Sequence, residues 1–345
     1  MSDVSPRSVT SAATLSFTVL AAFAGIYVIW GTTYLAIALA IRTVPPFISG
    51  ATRYLLAGAL MYVWLRVRDA RSAQSLAANA NPSSTFAGVN LPMAAVCGVL
   101  LSGMGNGYII WAQQGVPSGI AALMVGAVPI LVLIMDWAFF SKRAPTAQAL
   151  AGTAIAVAGV VTLVMHTHSL SGHAGAIYLA ALLVAVLAWS LGTLLQKRHA
   201  RKDNVLSFTC AQMLAGGAFQ LLMALINREW RQFDATAVSA GSIAAIAYLV
   251  VFGSIVGLNC YLWLLTRVPA PKVTTYALVN PVVALILGAL VLNEQVTGMA
   301  IAATVLVLVG VALVLFQDFN PLRMLQVRRE RAALYAARSA QLKSK

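Results

Sequence analysis

The sequence predicts an all-α integral membrane protein, ten transmembrane helices arranged as two inverted five-helix repeats. Three observations lead there. The 345 residues are 60% hydrophobic and 9% charged, with a mean hydropathy of +0.85; a soluble domain carries about 25% charged residues. The apolar residues fall in uncharged runs of roughly 20, the length that crosses a bilayer as a helix. Lipid offers backbone groups no partner, and the runs lack the polar/apolar alternation of a barrel strand, so they are helical. The chain also repeats itself. NGYIIWAQQGVPSGIAALMVGAVPILVLIMDWAFF begins at Asn106 and NCYLWLLTRVPAPKVTTYALVNPVVALILGALVLNE at Asn259. Each has Asn-x-Tyr before Val-Pro, at Asn106/Tyr108/Pro117 and Asn259/Tyr261/Pro269, and a mid-span proline twelve residues past the turn, Pro129 or Pro281.

In chain order, residues 1–16 form a polar amino-terminal tail, read as cytoplasmic. The run Phe17–Ile41 is too long for the apolar core of a cleaved signal and leads into Trp30-Gly31 with no small-residue cleavage site, so it reads as a retained first span. The ten spans fall at about 17–41, 47–65, 91–112, 117–140, 147–165, 174–195, 206–226, 241–265, 270–292 and 297–316. Residues 66–90, rich in Arg, Ser, Ala and Asn, read as a surface linker. The short loop 166–173 is the seam between repeat 1 (17–165) and repeat 2 (174–316). The basic segment 317–345 either lies on an anionic leaflet as an amphipathic helix or is a solvated tail.

The repeat reaches the start of each half. Trp30-Gly31 matches Trp189-Ser190, 159 residues later, and at the same offset Arg53–Gly58 falls on Gln212–Gly217. Five spans per half is an odd number, so the second half enters the membrane in the opposite sense. The net charge of +14 sits mostly in short loops and the tail, which points to membrane orientation rather than nucleic acid. With the amino terminus inside, cytoplasmic loops hold eleven Lys and Arg and the opposite loops three, Arg42, Arg228 and Arg231. Both termini are therefore expected in the cytoplasm. The three cysteines, Cys97, Cys210 and Cys260, all lie in apolar runs and give neither a disulfide framework nor metal spacing.

The segments YVIWGTTYLAI, GNGYIIWAQQGVPSGIAAL and TTYALVNPVVALILGALVLNE resemble the drug/metabolite transporter superfamily, within it the EamA-type ten-span exporters and their YedA-like branch. The resemblance covers about 20–316. It implies a bacterial inner-membrane carrier that exports amino acids, metabolites or drugs, with a central cavity lined mainly by spans 1, 3, 4, 6, 8 and 9.

Expected substrate-contacting residues are Trp30, Tyr34, Asn106, Trp189, Asn259, Tyr276 and Asn280. Trp30 and Trp189 sit about mid-span and repeat each other, which suits a cavity wall for a flat solute. Asn106 and Asn259 occupy matching positions; a buried amide in a bilayer must bond either a neighbouring helix or a solute. Pro129 and Pro281 each remove a helix hydrogen bond, freeing the carbonyls of Val125 and Ala277 as kinks or hinges. Arg53, Asp136 and Glu294 are the candidates for charge coupling. Arg53, about 9 Å below the end of its span, either snorkels outward or offers a cation to a carboxylate. Asp136 sits about one turn from Lys142 and Arg143 and is expected to lean toward them.

No acid occurs in span 1, which lowers the expectation of cationic-drug export. His166, His168 and His173 have no acidic or thiol neighbour and are read as loop. No metal, cofactor or nucleic acid is expected, and no phosphate loop or catalytic set appears. The partners are a small-molecule substrate and the bilayer, with a monomer favoured. The leading reading is export by alternating access. The alternatives are a non-transporting sensor or assembly partner with a narrow, dry interior, or an intramembrane enzyme, for which no acid/base pair or metal cluster is visible in the spans.

Overall fold

The computed structural model describes residues 17–75, 85–142, 144–166, 173–268, 270–274, 276–293 and 295–315. These form α1 Phe17–Ala40, α2 Pro46–Ser75, α3 Leu91–Ala112, α4 Ser118–Ser141, α5 Ala147–His166, α6 His173–His199, α7 Val205–Ile226 and α8 Ala240–Leu265. α9 is in two pieces, Ala270–Val273 and Tyr276–Leu292, and α10 is Gly298–Leu315. Six of these helices are long and apolar enough to cross a membrane; α5, the second piece of α9, and α10 contain shorter apolar stretches. α2 carries more charge because its last turns leave the apolar run. The expected linker at 66–90 is helical as far as Ser75, since Arg, Ala and Gln sustain a helix once water can solvate its charges. α6 likewise runs on to His199, and Lys197, Arg198 and His199 occupy its last turn, where cations complement the exposed carbonyls.

Packing between the halves has the symmetry of the repeat. α1 packs on α9 as α6 packs on α4, α1 on α8 as α6 on α3, and α2 on α8 as α7 on α3. Three further pairs, α2–α7, α4–α9 and α5–α10, map onto themselves when the halves are exchanged. The second half therefore completes a layer that the first half leaves open.

Among the described residues, three spans contain π-helix. π-helical segments occupy Gly98–Gly105 of α3, Leu249–Val256 of α8 and Asp136–Ser141 at the end of α4. Such segments leave a carbonyl spare and often mark function. In α3 the Asn106 N–H reaches Gly103 O and Leu101 O, passing over Ser102 O. Gln220 Nε2 takes up that carbonyl at 2.6 Å. In α8 the Gly257 N–H reaches Phe252 O and Ser254 O, passing over Gly253 O. Here the Trp30 indole N–H donates to it at 3.3 Å. Both spare groups are thus satisfied by the other half of the chain, as lipid requires.

The two expected hinges differ. α4 breaks at Gly126–Ala127, with Pro129 in the first turn of its second segment, where a missing N–H costs nothing. In α9 the first piece ends at Val273, while Pro281 lies inside the second piece. The break of α4 lies against Pro281: a Cβ on Gly126 would stand 3.6 Å from Pro281 Cγ.

Candidate functional site

Where α1, α6, α8 and α9 converge, four aromatic rings pack edge to face or tilted. Trp30 lies 5.6 Å from Trp189, 5.1 Å from Tyr261 and 4.8 Å from Tyr276, between ring centroids. Separations of 4.5–7 Å with tilted planes are the favourable arrangement for such rings. The tryptophans that match across the repeat thus meet near its centre, both buried. Tyr261 OH is tied to Thr193 Oγ1 at 2.7 Å.

Beside this cluster lies a void of about 40 Å³, space for one or two water molecules. Its wall includes Trp30, Tyr34, Asn106, Trp189, Tyr276 and Asn280 from the expected set, and also Arg53. Asn106 Nδ2 donates to Leu101 O at 3.4 Å. The wall is under-satisfied. Arg53 Nη1, Tyr54 OH, Trp189 Nε1, Tyr276 OH and Asn280 Oδ1 are buried without a hydrogen bond of ordinary geometry. Buried polar atoms are rarely left so in a native protein, and a cluster of them calls for a missing partner.

Other expected residues lie elsewhere. Asn259 is outside the void, despite its twin motif. Its Nδ2 donates to Ile255 O at 2.6 Å and approaches Met61 Sδ at 3.4 Å, and it lines a groove of about 590 Å³ between α1, α7 and α8 with Arg68, Lys202 and Arg267. Asp136 forms no ion pair with Lys142, whose Nζ bonds the Ala138 carbonyl, and Arg143, the other expected partner, lies outside the described residues. Asp136 instead lines a groove with Lys197 and Arg198 of α6. Glu294 lies outside the described residues, as do His168 and the terminal tails. Arg53 does not snorkel, being only 3% exposed. Among the described residues no three His, Cys, Asp or Glu gather as a metal site.

Sequence reasoning missed several parts of the wall. Beside the expected Arg53, α2 contributes Tyr54, although the resemblance implied a lining mainly by spans 1, 3, 4, 6, 8 and 9. Gly253 and Leu258 line the void from the π-helical stretch of α8 and just beyond it; the paired Gly and Ser of 102–107 and 253–257 were the available signal. Glu229, passed over as a loop acid, ties the halves together. Its carboxylate accepts from the N–H groups of Phe47 at 3.2 Å and Ile48 at 2.9 Å, at the start of α2. Burial raises its pKa above the ordinary carboxylate value against the pull of those two donors. Near it, Thr43 Oγ1 donates to Ser242 Oγ at 2.8 Å, and Ser242 Oγ to Leu39 O at 2.9 Å.

The model of the EamA-like transporter family matches the chain twice, over residues 16–165 and 176–316. The chain belongs to the EamA-like transporter family. Its two matched segments coincide with the two halves that build the aromatic cluster. This EamA-like chain is 32% identical over 301 residues to the uncharacterized inner membrane transporter YedA of Escherichia coli, spanning 83% of this chain and 89% of that one. It is 26% identical to a probable amino-acid metabolite efflux pump of Salmonella typhimurium, over 84% of this chain and 92% of the relative. A solved crystal structure shares the fold with a TM-score of 0.61 at 16% identity, covering 86% of this chain and 96% of its own.

Proposed function

We propose that this EamA-like protein is a secondary transporter that exports a small amphiphilic metabolite, amino-acid-like in size, by alternating access. The solute binds at the aromatic-walled void, and the two halves, inverted with respect to each other, rock about it. One observation carries this reading: both halves build a void near the centre, and five of the buried polar atoms on its wall make no hydrogen bond of ordinary geometry. At about 40 Å³ the void admits water and no metabolite, so this is a closed state that must part to load. Glu229 and the Thr43–Ser242 pair seal the end we assign to the outside. The excess of Lys and Arg at the other end supports assigning that end, with both termini, to the cytoplasmic side of a bacterial inner membrane.

A narrow interior also suits a non-transporting sensor. The unsatisfied wall favours the transporter, since a permanently closed interface gains nothing from open donors. The names of the relatives point the same way, to transport rather than catalysis. Everted vesicles carrying the protein, offered a panel of amino acids, organic acids and neutral metabolites, are expected to accumulate at least one in a Trp30-dependent manner. No accumulation of any member would overturn the reading.

A further inference from the structure

Among the described residues, the void is lined by one fixed positive charge and no negative one. Arg53 reaches it from α2, buried, with Nε donating to Ser254 Oγ at 2.8 Å and its guanidinium carbon 4.7 Å from the Tyr54 ring centre. Gly253 leaves room for this approach: a Cβ there would stand 2.9 Å from Nη2. Nη1 makes no hydrogen bond. The described acids, Asp69, Asp136, Asp203, Glu229 and Asp234, neither line the void nor pair with Arg53; the ion pairs between described residues are Arg68–Asp69 and Arg201–Asp203. A buried cation without a counter-charge is costly, and it is tolerated where something supplies that charge.

The doubled chain contains its own control. At the repeat offset, Arg53 corresponds to Gln212, and Gln212 Nε2 approaches Ser102 Oγ of α3 at 3.5 Å, as Arg53 Nε meets Ser254 Oγ of α8. Gln212 has a further built-in partner, because Gln196 of α6 donates to its Oε1. The position of α1 equivalent to Gln196 is Ile37, which lines the void and has no polar atom to offer. One half therefore gives this position an amide partner from its own helices, although Gln196 Oε1 is itself buried without a hydrogen bond. The other leaves a guanidinium edge open toward the site.

Resting on the transporter reading, we propose that Arg53 is the anion-binding residue of this site and that the solute is a monocarboxylate with a flat apolar body. One guanidinium matches one carboxylate, by paired N–H···O bonds; a phosphate dianion would leave charge unbalanced. Tyr276 OH and Trp189 Nε1 are further donors on the same wall, and the rings of Trp30 and Trp189 accept the flat part. An ammonium group would find Asn280 Oδ1 but no acid among the described residues.

The test uses the full chain in proteoliposomes and an isosteric set: benzoate, phenylacetate and indole-3-acetate, their amides, and the corresponding amines. Acids are expected to be moved at least about 10-fold better than their amides, and the amines not at all. Arg53→Gln should remove that preference, lowering acid transport by about 10- to 100-fold, while Arg53→Lys retains part of it. Because Arg53→Gln risks misfolding, a second readout uses the unmutated protein: the acids should raise its unfolding temperature and the amides should not. Equal handling of acids and amides, or an acid preference that survives Arg53→Gln, would overturn the role of Arg53 and leave the transporter reading standing. Transport of none of these compounds, nor of any vesicle-panel solute, would remove both.

Discussion

Replacing Gly257 by alanine puts a methyl group where the Trp30 indole lies. A Cβ at Gly257 falls inside van der Waals contact of Trp30 Nε1 and 3.1 Å from its Cδ1. The indole has little room to retreat, since the rings of Trp189, Tyr261 and Tyr276 pack around it and the adjoining void is only about 40 Å³. The substitution therefore breaks the Trp30–Gly253 hydrogen bond, worth about 1 kcal/mol, and overpacks the site at about 1–3 kcal/mol. The better helix propensity of alanine returns up to about 1 kcal/mol. The net loss is about 1–3 kcal/mol, a factor of roughly 5 to 150 in the folded ratio. Unfolding in detergent measures it, and transport in proteoliposomes should fall with it. The decisive arm is a double-mutant cycle. In the Trp30→Phe background the smaller ring vacates the space, and the cost of Gly257→Ala should shrink by at least about 1 kcal/mol. Equal cost in both backgrounds would show that Gly257 and Trp30 do not touch, and the site as described would be wrong.

Trp30→Ala and Trp189→Ala should each lower transport about 10-fold or more by removing the wall for a flat solute, whereas Asn259→Ala, outside the void, should leave transport within about twofold; the reverse ranking would move the site to the basic groove. Thr43→Cys with Ser242→Cys, whose oxygens now lie 2.8 Å apart, is expected to crosslink on oxidation and stop transport until reduced, and an oxidised protein that still transports would show that this end never opens. Glu229 titrates with a definite sign. Its pKa is raised when buried against α2, so the closed form binds the proton more tightly than a form with Glu229 in water. Closure at that end is therefore favoured as pH falls from above the raised pKa toward the ordinary carboxylate value. Thiol accessibility beneath the seal should show this trend, and Glu229→Gln should flatten it; an unchanged profile in that variant would assign the pH dependence to another group.

The spans were legible because lipid imposes a one-dimensional rule: each crossing segment must be helical, uncharged and about 20 residues long. The doubling was legible for the same reason, as Trp30 and Trp189 recur 159 residues apart, each well inside an apolar run. Rotation about each helix axis was not. A span apolar on every side has no polar face to show which way it turns, and Asn106 and Asn259, alike in motif, face different surroundings. The π-helical segments of α3 and α8 add to this by shifting register within a run whose hydropathy does not change. Arg53 makes the division plain. Its position in α2 was written in the chain, but snorkelling and binding are both open to a long side chain at that depth. Packing decided between them: α8 approaches α2 closely at Gly253, Ser254 holds Nε, and the guanidinium is turned inward to the place where the two halves meet.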